Sequence, residues 1–437
     1  MARWDIAVVG GGVLGTAVAY WLGAQYEGNI VLLEKEAHVA AHASGRNTGV
    51  IHRPFYLDPR QRRLFAKTAN LSFPMWKHYA TSRGLPWNEI STLKVATKDE
   101  EIRSLEKNME YVKANGMDDS ELKLLNPSAV TKIEPEVRCI AALLVKTDTV
   151  VDFRAFTEAL REDATSFGVK FVMGFNVERV QNLKDGVHLH SNRHPEPITA
   201  DFVINCGGGN ATDIAHMFES GRDYADMHFR GEYWNVSERA APLVGRNVYC
   251  VPRQGEFPFL DPHWIVRVDG RREIGPNAIP VPGSNVYKGL FKHYGKWIKE
   301  LFNPPCANKI NVFLNRDFVT LSAHEIWSSI SKGEMLRRVQ QFIPRLQSND
   351  LTTPGTAGVR SVILDRQGRL SKEAIEIAGP RSYHVLGFNS PGATGAPAYA
   401  AYIVNKLGAH GDLDNLQKRT ETQGPWDWDV VMNEMTA

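Results

Sequence analysis

The fold is decided near the N-terminus, by residues 5–36, DIAVVGGGVLGTAVAYWLGAQYEGNIVLLEKE. The apolar run at 6–9 predicts a short buried strand, and G-x-G-x-x-G follows it without a gap. Residues 16–25 are mostly good helix formers, residues 29–33 predict a second strand, and Glu34 comes directly after it. A strand, a tight turn, a helix, a strand and an acidic residue therefore succeed one another in a single short unit.

Each glycine of this turn meets a steric requirement of dinucleotide binding. Gly10 permits the sharp exit from the strand, Gly12 lets the backbone approach a pyrophosphate, and Gly15 lets the helix lie close to the sheet. The helix N-terminus then directs unpaired N–H groups at the phosphates. Glu34 stands where its carboxylate can accept hydrogen bonds from the adenosine ribose hydroxyls. The stretch predicts a dinucleotide site, whereas its four closely spaced glycines argue against a signal peptide or a membrane helix.

The composition is that of an ordinary globular protein. The 437 residues suit two or three domains. The charge balance of 51 − 49 = +2 gives no reason to propose a nucleic-acid partner. The four cysteines are far apart, without a CxxC pair, so we expect reduced thiols in an intracellular, cytoplasmic protein and no metal site. No run of about 18 apolar residues predicts a membrane span, although peripheral attachment to a membrane stays open.

Glycines also punctuate three later stretches. The loop GRNTGVIHRP at 45–54 leaves backbone N–H groups and hydroxyls free for a ligand, at a distance from the first strand that suits a flavin. Residues 202–218 predict a buried strand that ends in glycines and then a helix. Residues 383–407 predict a third strand, small-residue loop and helix. Each helix start can direct N–H groups at the same ligand.

Several short motifs resemble those of a known family. They are GRNTGVIH at 45–52, FRGEY at 229–233, PFL at 258–260 with His263, IGPNA at 274–278, GVR at 358–360 and NSPGAT at 389–394. In this order and spacing, the chain resembles flavoenzymes with a D-amino-acid-oxidase-type FAD fold. Within these it is most similar to the L-2-hydroxyglutarate dehydrogenases/oxidases. The resemblance covers roughly residues 3 to 407.

The resemblance implies an α/β fold with two domains. A Rossmann-like FAD-binding domain is built from discontinuous segments, and a substrate domain carries a mixed or antiparallel sheet and helices. The helices of the substrate domain are expected to include 287–301 and 322–342. The predicted boundaries are 1–84, 137–222 and 355–410 for the FAD-binding domain, 85–136 and 223–354 for the substrate domain, and 411–437 for a polar, loosely attached C-terminal tail.

The resemblance also implies FAD as the cofactor and oxidation of a 2-hydroxy acid to a 2-oxo acid by hydride transfer to flavin N5. The predicted cofactor-binding residues are Gly10, Gly12, Val13, Leu14, Gly15, Glu34, Lys35, Gly45, Arg46, Asn47, Thr48, Gly49, Val177, Cys206, Gly207, Gly208, Gly358, Arg360, Gly392, Ala393 and Thr394.

Catalytic roles follow from chemical type within these motifs. An anionic substrate calls for a guanidinium that clamps a carboxylate, and Arg360 is the first candidate, with Arg53 second. The hydroxyl proton calls for an acceptor near neutral pH, for which His52 and His263 are the candidates. Arg230 and Glu232 predict an internal ion pair. The residues expected to line the substrate pocket are Arg53, Tyr56, Tyr233 and Asn277.

Two departures from the family pattern leave alternatives open. Arg53-Pro54 follows the V-I-H sequence where the family has a small residue and glycine, and Ser361-Val362 replaces Ala-Gln. An added cation would also suit a phosphate, so an FAD-dependent glycerol-3-phosphate dehydrogenase that passes electrons to a quinone is the main alternative. A flavin-free nucleotide-binding protein and an amino-acid oxidase are further ones. Oxygen or quinone as acceptor, covalent or noncovalent FAD, and a monomer or homo-oligomer all stay open.

Overall fold

The structure of the protein is a computed structural model that describes residues 3–252, 261–289, 293, 295, 297–298, 302 and 305–436. Its helices are α1 Val13–Gln25, α2 Arg63–Arg83, α3 Asp99–Ala114, α4 Pro127–Ile133, α5 Phe153–Ser166, α6 Ala211–Met217, α7 Cys306–Phe313, α8 Arg316–Ile330, α9 Lys332–Val339, α10 Gly392–Ala409 and α11 Trp428–Thr436.

Its strands are β1 Arg3–Val9, β2 Tyr26–Glu27, β3 Ile30–Glu34, β4 Val50–Ile51, β5 Asn88–Glu89, β6 Thr92–Ala96, β7 Leu122–Leu125, β8 Ala141–Val145, β9 Thr149–Val150, β10 Lys170–Met173, β11 Arg179–Leu183, β12 Gly186–Ser191, β13 His194–Asn205, β14 Ala225–Gly231, β15 Trp234–Val236, β16 Asn247–Cys250, β17 His263–Val266, β18 Arg272–Gly275, β19 Ile279–Val281, β20 Leu351–Pro354, β21 Gly358–Leu364, β22 Ile375–Gly379, β23 Ser382–Leu386 and β24 Gln417–Lys418.

One sheet is assembled from segments far apart in the chain. Its strand order is β10-β3-β1-β13-β12-β11, and β23 pairs with β13 and with β22. The pairs β10–β3, β3–β1, β1–β13 and β13–β23 are parallel. The register places Val9 beside Asn205, and Asn205 beside His384, so the turns after three strands leave one edge of the sheet together. This confirms the Rossmann-like α/β fold built from discontinuous segments.

The turn after β1 depends on two glycines. Gly10 has a φ of +110°, and a Cβ there would lie 2.4 Å from the carbonyl oxygen of Cys206. A Cβ on Gly15 would lie 2.0 Å from the carbonyl oxygen of Gly10. Because neither position has room for a side chain, helix α1 can begin directly against the strand ends. Every residue of α1 is buried, and the helix packs against α5 and α10.

Four further sheets are present among the described residues, of which β2-β24 and β4-β9-β5 are small and two others line the site described below. The larger has the order β20-β15-β18-β17-β16-β6-β8-β7, with β16 and β6 parallel and the other pairs antiparallel, which confirms the predicted mixed sheet. In the smaller sheet, β19-β14-β21, the GVR motif pairs with the FRGEY motif. Arg230 and Glu232 form the predicted ion pair at 2.8 Å. The domain boundaries drawn from the sequence stay a prediction.

The helix predicted over 322–342 is wrong in one respect, because the chain forms two helices there. Helix α8 ends and α9 begins at Ser331, whose Oγ accepts a hydrogen bond from the backbone N–H of Glu334 at 3.3 Å. A serine that bonds to nearby backbone groups competes with continuation of a helix, which accounts for the break.

The prediction of a loosely attached tail is also wrong. Strand β24 pairs with β2, and the side chains of Trp426 and Trp428 are buried in the core that surrounds α1. The Trp426 indole N–H donates to the carbonyl oxygen of Met75 at 3.0 Å. The polar composition of the segment concealed these two buried aromatic side chains, which contribute large apolar areas to the core.

Two predicted features involve residues that the structure does not describe. The PFL motif at 258–260 lies wholly outside the described residues, and the helix predicted at 287–301 lies partly outside them. Within the described ranges, each helix is too short or too polar to cross a lipid bilayer. Among the same residues Cys139, Cys206 and Cys250 form no disulfide, and no group of acidic, histidine or cysteine side chains is arranged to hold a metal ion.

Candidate active site

A cavity of about 490 Å³ lies where the turns after β1, β13 and β23 meet the sheet that contains β6, β16 and β17 and the sheet that contains β14 and β21. The lining residues predicted from the sequence as cofactor contacts are Gly12, Val13, Leu14, Arg46, Asn47, Thr48, Cys206, Gly208, Gly358, Arg360, Gly392, Ala393 and Thr394. The starts of helices α1 and α10 and the turn after β13 therefore face one space, although they are separated by most of the chain.

The other predicted cofactor residues lie outside this lining. They are Gly10, Gly15, Glu34, Lys35, Gly45, Gly49, Val177 and Gly207. The buried Glu34 carboxylate accepts hydrogen bonds from the backbone N–H groups of Gly11, at 2.7 Å, and Glu36, at 2.8 Å. It thus holds the glycine turn against β3, and its contact with a ribose stays a prediction.

A smaller polar cavity of about 260 Å³ adjoins the same end of the parallel sheet. Its lining residues are Lys35, Glu36, Asn176, Glu178, Asn192, Arg193, Asn210 and Asn285. Val177 lies between two of them in sequence and packs its side chain into the hydrophobic core. The amide and charged groups of this cavity suit the hydrogen-bonding groups of an adenosine, which is the end of FAD that Glu34 was predicted to approach.

His52 is held in the larger cavity by hydrogen bonds on both sides of its ring. Its Nδ1 lies 3.1 Å from Oδ2 of Asp148, a fully buried carboxylate whose Oδ1 accepts the backbone N–H of Arg53 at 2.8 Å. Its Nε2 lies 3.4 Å from the hydroxyl of Tyr249, and its backbone N–H donates to Thr394 Oγ1 at 3.1 Å. Because Asp148 accepts the Nδ1 proton, Nε2 is the nitrogen left to act as a base.

His263 lines the same cavity in a different state. Its ring lies against that of Tyr249, with centroids 4.0 Å apart, and its buried Nδ1 has no hydrogen-bond partner among the described residues. Burial, followed by the electrostatic effects of His52 and Arg360, holds the pKa of His263 well below its ordinary value. His263 is therefore neutral, and without a carboxylate partner it is the weaker candidate for the base.

Arg360 presents a guanidinium to the cavity from strand β21. No ion pair or side-chain hydrogen bond joins it to another described residue, and burial lowers its pKa. Tyr56 and Tyr233 line the same cavity and interact electrostatically with the Arg360 guanidinium. Burial raises the pKa of Tyr233 to about 12, so its phenol stays protonated. A planar cation without a carboxylate partner is suited to clamp the carboxylate of a ligand.

Two predicted substrate residues are committed to partners within the protein. Arg53 does not line the cavity: its Nε and Nη2 donate to the two carboxylate oxygens of Glu121 at 2.8 and 2.9 Å. This pairing argues against its predicted role as a substrate cation, which stays a prediction. Asn277 does line the cavity, but its amide bonds to the backbone N–H and the carboxylate of Glu232 at 2.8 and 3.0 Å.

Replacing Arg53 with methionine is expected to reduce stability and leave substrate affinity intact. The substitution leaves the Glu121 carboxylate, whose side chain is 15% exposed, without its cationic partner. Breaking such a pair lowers the free energy of unfolding by about 3–5 kcal/mol. Thermal or urea unfolding measures the first effect and KM the second. A large rise in KM with unchanged stability would restore Arg53 to the substrate site.

Several lining residues were missed by the sequence reasoning. Arg62, Thr92, Lys94, Asp148 and Tyr249 all face the cavity. Lys94 carried a usable signal, since it interrupts a short strand that is otherwise apolar or β-branched. Asp148 carried none, because its partner His52 lies 96 residues earlier in the chain.

The donors around the larger cavity fit a bound dinucleotide. The first residues of two helices face it, and a Cβ on the lining residue Gly209 would lie 2.4 Å from the Ser284 side chain, so this turn admits only backbone. Gly12, Arg46 and Thr48 are among the lining residues that were predicted to bind the cofactor. The fold and this site together define a dinucleotide-binding flavoprotein.

Comparison with known proteins gives the family. The model for DAO, FAD dependent oxidoreductase, matches residues 5–406. The chain is 28% identical over 406 residues to the L-2-hydroxyglutarate dehydrogenase of Escherichia coli (strain K12), covering 92% of this chain and 93% of that one. It is also 28% identical over 429 residues to the mitochondrial L-2-hydroxyglutarate dehydrogenase of Homo sapiens, covering 93% and 89%.

Solved structures show the same fold. The L-alpha-glycerophosphate oxidase from Mycoplasma pneumoniae with FAD bound has a TM-score of 0.71 at 23% identity, covering 98% of this chain and 100% of that one. Glycine oxidase from Geobacillus kaustophilus has a TM-score of 0.68 at 15% identity, covering 99% and 98%. The chain belongs to the DAO family of FAD dependent oxidoreductases. It is an enzyme whose cofactor is FAD, and it takes electrons from a substrate and passes them to an acceptor.

Proposed function

We propose that the protein oxidises an anionic 2-hydroxy acid to the corresponding 2-oxo acid, with L-2-hydroxyglutarate as the best candidate. The observation that carries the proposal is that one cavity is lined by His52, which is hydrogen-bonded to Asp148, and by Arg360, which has no ion-pair partner among the described residues. A base and a carboxylate clamp are the two groups that this oxidation requires of the protein. The two curated relatives described above bear the name L-2-hydroxyglutarate dehydrogenase.

The residues then take separate parts. Arg360 binds the carboxylate next to the hydroxyl-bearing carbon and orients that carbon. Nε2 of His52 accepts the hydroxyl proton, and Asp148 keeps the imidazole in the required tautomer and stabilises its positive charge. The aromatic rings of Tyr56 and Tyr233 exclude water from the substrate, and burial raises the pKa of both phenols, so their hydroxyls stay protonated. The chemistry that FAD supplies when bound is acceptance of the hydride.

A second candidate substrate is glycerol 3-phosphate. The cavity is rich in cations that would suit a phosphate, and a structural neighbour is named as a glycerophosphate oxidase. Oxygen or a quinone would serve as the electron acceptor for either substrate. With a quinone, the protein would work against a membrane surface, and otherwise it would work in the cytoplasm.

Anaerobic reduction of the purified holoenzyme distinguishes these substrates without knowledge of the acceptor. We expect L-2-hydroxyglutarate to bleach the flavin absorbance, with D-2-hydroxyglutarate as the matched stereochemical control. Glycerol 3-phosphate and glycine are tested in parallel. Bleaching by the phosphate alone, or by glycine with release of ammonia, would contradict the proposal.

A further inference from the structure

Lys94 is a buried cation that the mechanism above does not use. It lies on β6, lines the larger cavity and is 8% exposed. Its Nζ donates to Oδ1 of Asn108 at 2.6 Å, and no described carboxylate pairs with it. An ammonium has three donors, so this single hydrogen bond leaves two of them for a ligand.

Keeping this ammonium in the cavity is energetically unfavourable without a counterion. Burial lowers the pKa of Lys94 to about 8, so the group is still mostly charged at neutral pH. Charged side chains are seldom buried unless they are paired, and an apolar residue of similar length would fit the site at lower cost. A buried, unpaired cation in a cavity is the expected signature of an anionic ligand.

Thr92 supplies an independent second observation. Its side chain is 2% exposed, lines the same cavity, and has an Oγ1 with no hydrogen-bond partner among the described residues. Thr92 and Lys94 are two residues apart on one strand, so their side chains share a face. A hydroxyl and an ammonium thus point into the cavity side by side, which is a suitable pair of donors for a carboxylate or phosphate oxygen.

The strand register places Thr92 and Lys94 at a distance from the proposed base, His52, that one small ligand can span. Lys94 is paired with Tyr249 of β16, and the pairing of Val248 with Trp264 sets Tyr249 opposite His263 of β17. Adjacent strands lie about 4.8 Å apart, and the Tyr249 hydroxyl is 3.4 Å from His52 Nε2. Arg360, by contrast, enters the cavity from the separate sheet that contains β21.

We propose that Lys94 and Thr92 bind a second anionic group of the substrate, at the end remote from the oxidised carbon, and so select dianionic over monoanionic 2-hydroxy acids. The inference rests on the proposed function and names the residues that determine its substrate class. Two separate anion sites fit a dicarboxylate, which carries one anionic group at each end, better than glycerol 3-phosphate, which carries one.

The test compares L-2-hydroxyglutarate with L-2-hydroxyvalerate, which has the same carbon chain but no second carboxylate. Anaerobic flavin reduction yields the apparent affinity and the limiting rate for the wild-type holoenzyme, Lys94→Met and Thr92→Val. Lys123→Met, which removes an exposed lysine from β7 of the same sheet, is the matched control. Binding of glutarate and valerate, followed by changes in the flavin spectrum, gives a readout that does not require turnover.

We expect Lys94→Met to weaken apparent affinity for L-2-hydroxyglutarate by about 10- to 100-fold, because it removes a charge-assisted hydrogen bond. In Lys94→Met, the limiting rate and the affinity for L-2-hydroxyvalerate should change little. The control variant Lys123→Met should behave as the wild type with both substrates. Thr92→Val, a near-isosteric change, should weaken only dicarboxylate binding, by about 3- to 10-fold, and it carries the test if Lys94→Met fails to retain FAD.

Equal losses on both substrates, or no loss on either, would overturn the assignment of this subsite. Retained preference for the dicarboxylate in both variants would do the same. These outcomes are distinct from failure of the proposed function, in which L-2-hydroxyglutarate would not reduce the wild-type flavin at all.

Discussion

Replacing His52 with asparagine is expected to slow anaerobic flavin reduction by about 10²- to 10⁴-fold, the usual contribution of a positioned general base. The FAD should stay bound, because His52 is not part of the glycine turns or helix starts that are predicted to hold the cofactor. Asparagine can keep a hydrogen bond to Asp148 but has no basic nitrogen to take the hydroxyl proton. Stopped-flow reduction at saturating L-2-hydroxyglutarate measures the effect.

His410→Asn provides the matched control, since His410 is exposed at the end of α10 and should leave the rate unchanged. Asp148→Asn should slow reduction as well, because an amide no longer accepts from Nδ1 with a full negative charge and the wrong tautomer is then favoured. If His52→Asn were reduced at the wild-type rate, the proton acceptor would have to be sought elsewhere, with His263 the first residue to replace.

Replacing Arg360 with methionine is expected to lower the second-order rate constant of flavin reduction by about 100-fold through weaker substrate binding. The guanidinium has no described side-chain partner, so its removal breaks no internal ion pair. Arg360→Lys should recover only part of the loss, because an ammonium cannot reproduce the two parallel hydrogen bonds of the guanidinium. The concentration dependence of flavin reduction separates affinity from the limiting rate.

Arg366→Met serves as the control, since Arg366 lies just beyond β21 and pairs with Asp223 at the surface. An Arg360→Met variant that kept wild-type affinity for 2-hydroxy acids would remove the carboxylate clamp from the proposal. Loss of FAD together with activity would instead assign Arg360 to the cofactor.

The cofactor half of the fold was predictable because its signals are local. The glycine turn, the helix and the strands around it lie within residues 5–36, and a Cβ on Gly15 would meet the backbone of Gly10 in the same turn. The later strands carried apolar runs and glycine endings of the same kind. The βαβ unit accounts for the parallel pair β1–β3, and the repeated order of strand, small-residue turn and helix allowed the convergence of three turns to be anticipated.

The site was less predictable because its side chains take partners from remote segments. Arg53 stands next to His52 in sequence, yet its guanidinium pairs with Glu121, 68 residues away, while the cavity receives Arg62 and Lys94 instead. A motif fixes which residue types occur at a position but not the direction of a long side chain. The composition of the tail likewise indicated polarity and missed the two tryptophans that anchor it.

The sheet that contains β1, β13 and β23 is built from segments far apart in the chain, and this limits how much of it can fold during synthesis. Strand β1 needs β13, which needs β23, and the buried surface of α1 is covered only when Trp426 and Trp428 arrive. At about 5–20 residues per second, the ribosome exposes the first glycine turn long before these partners exist. The sheet and the core around α1 therefore cannot be completed before residues 382–386, 426 and 428 have been synthesised, and we expect stable FAD binding to follow that point.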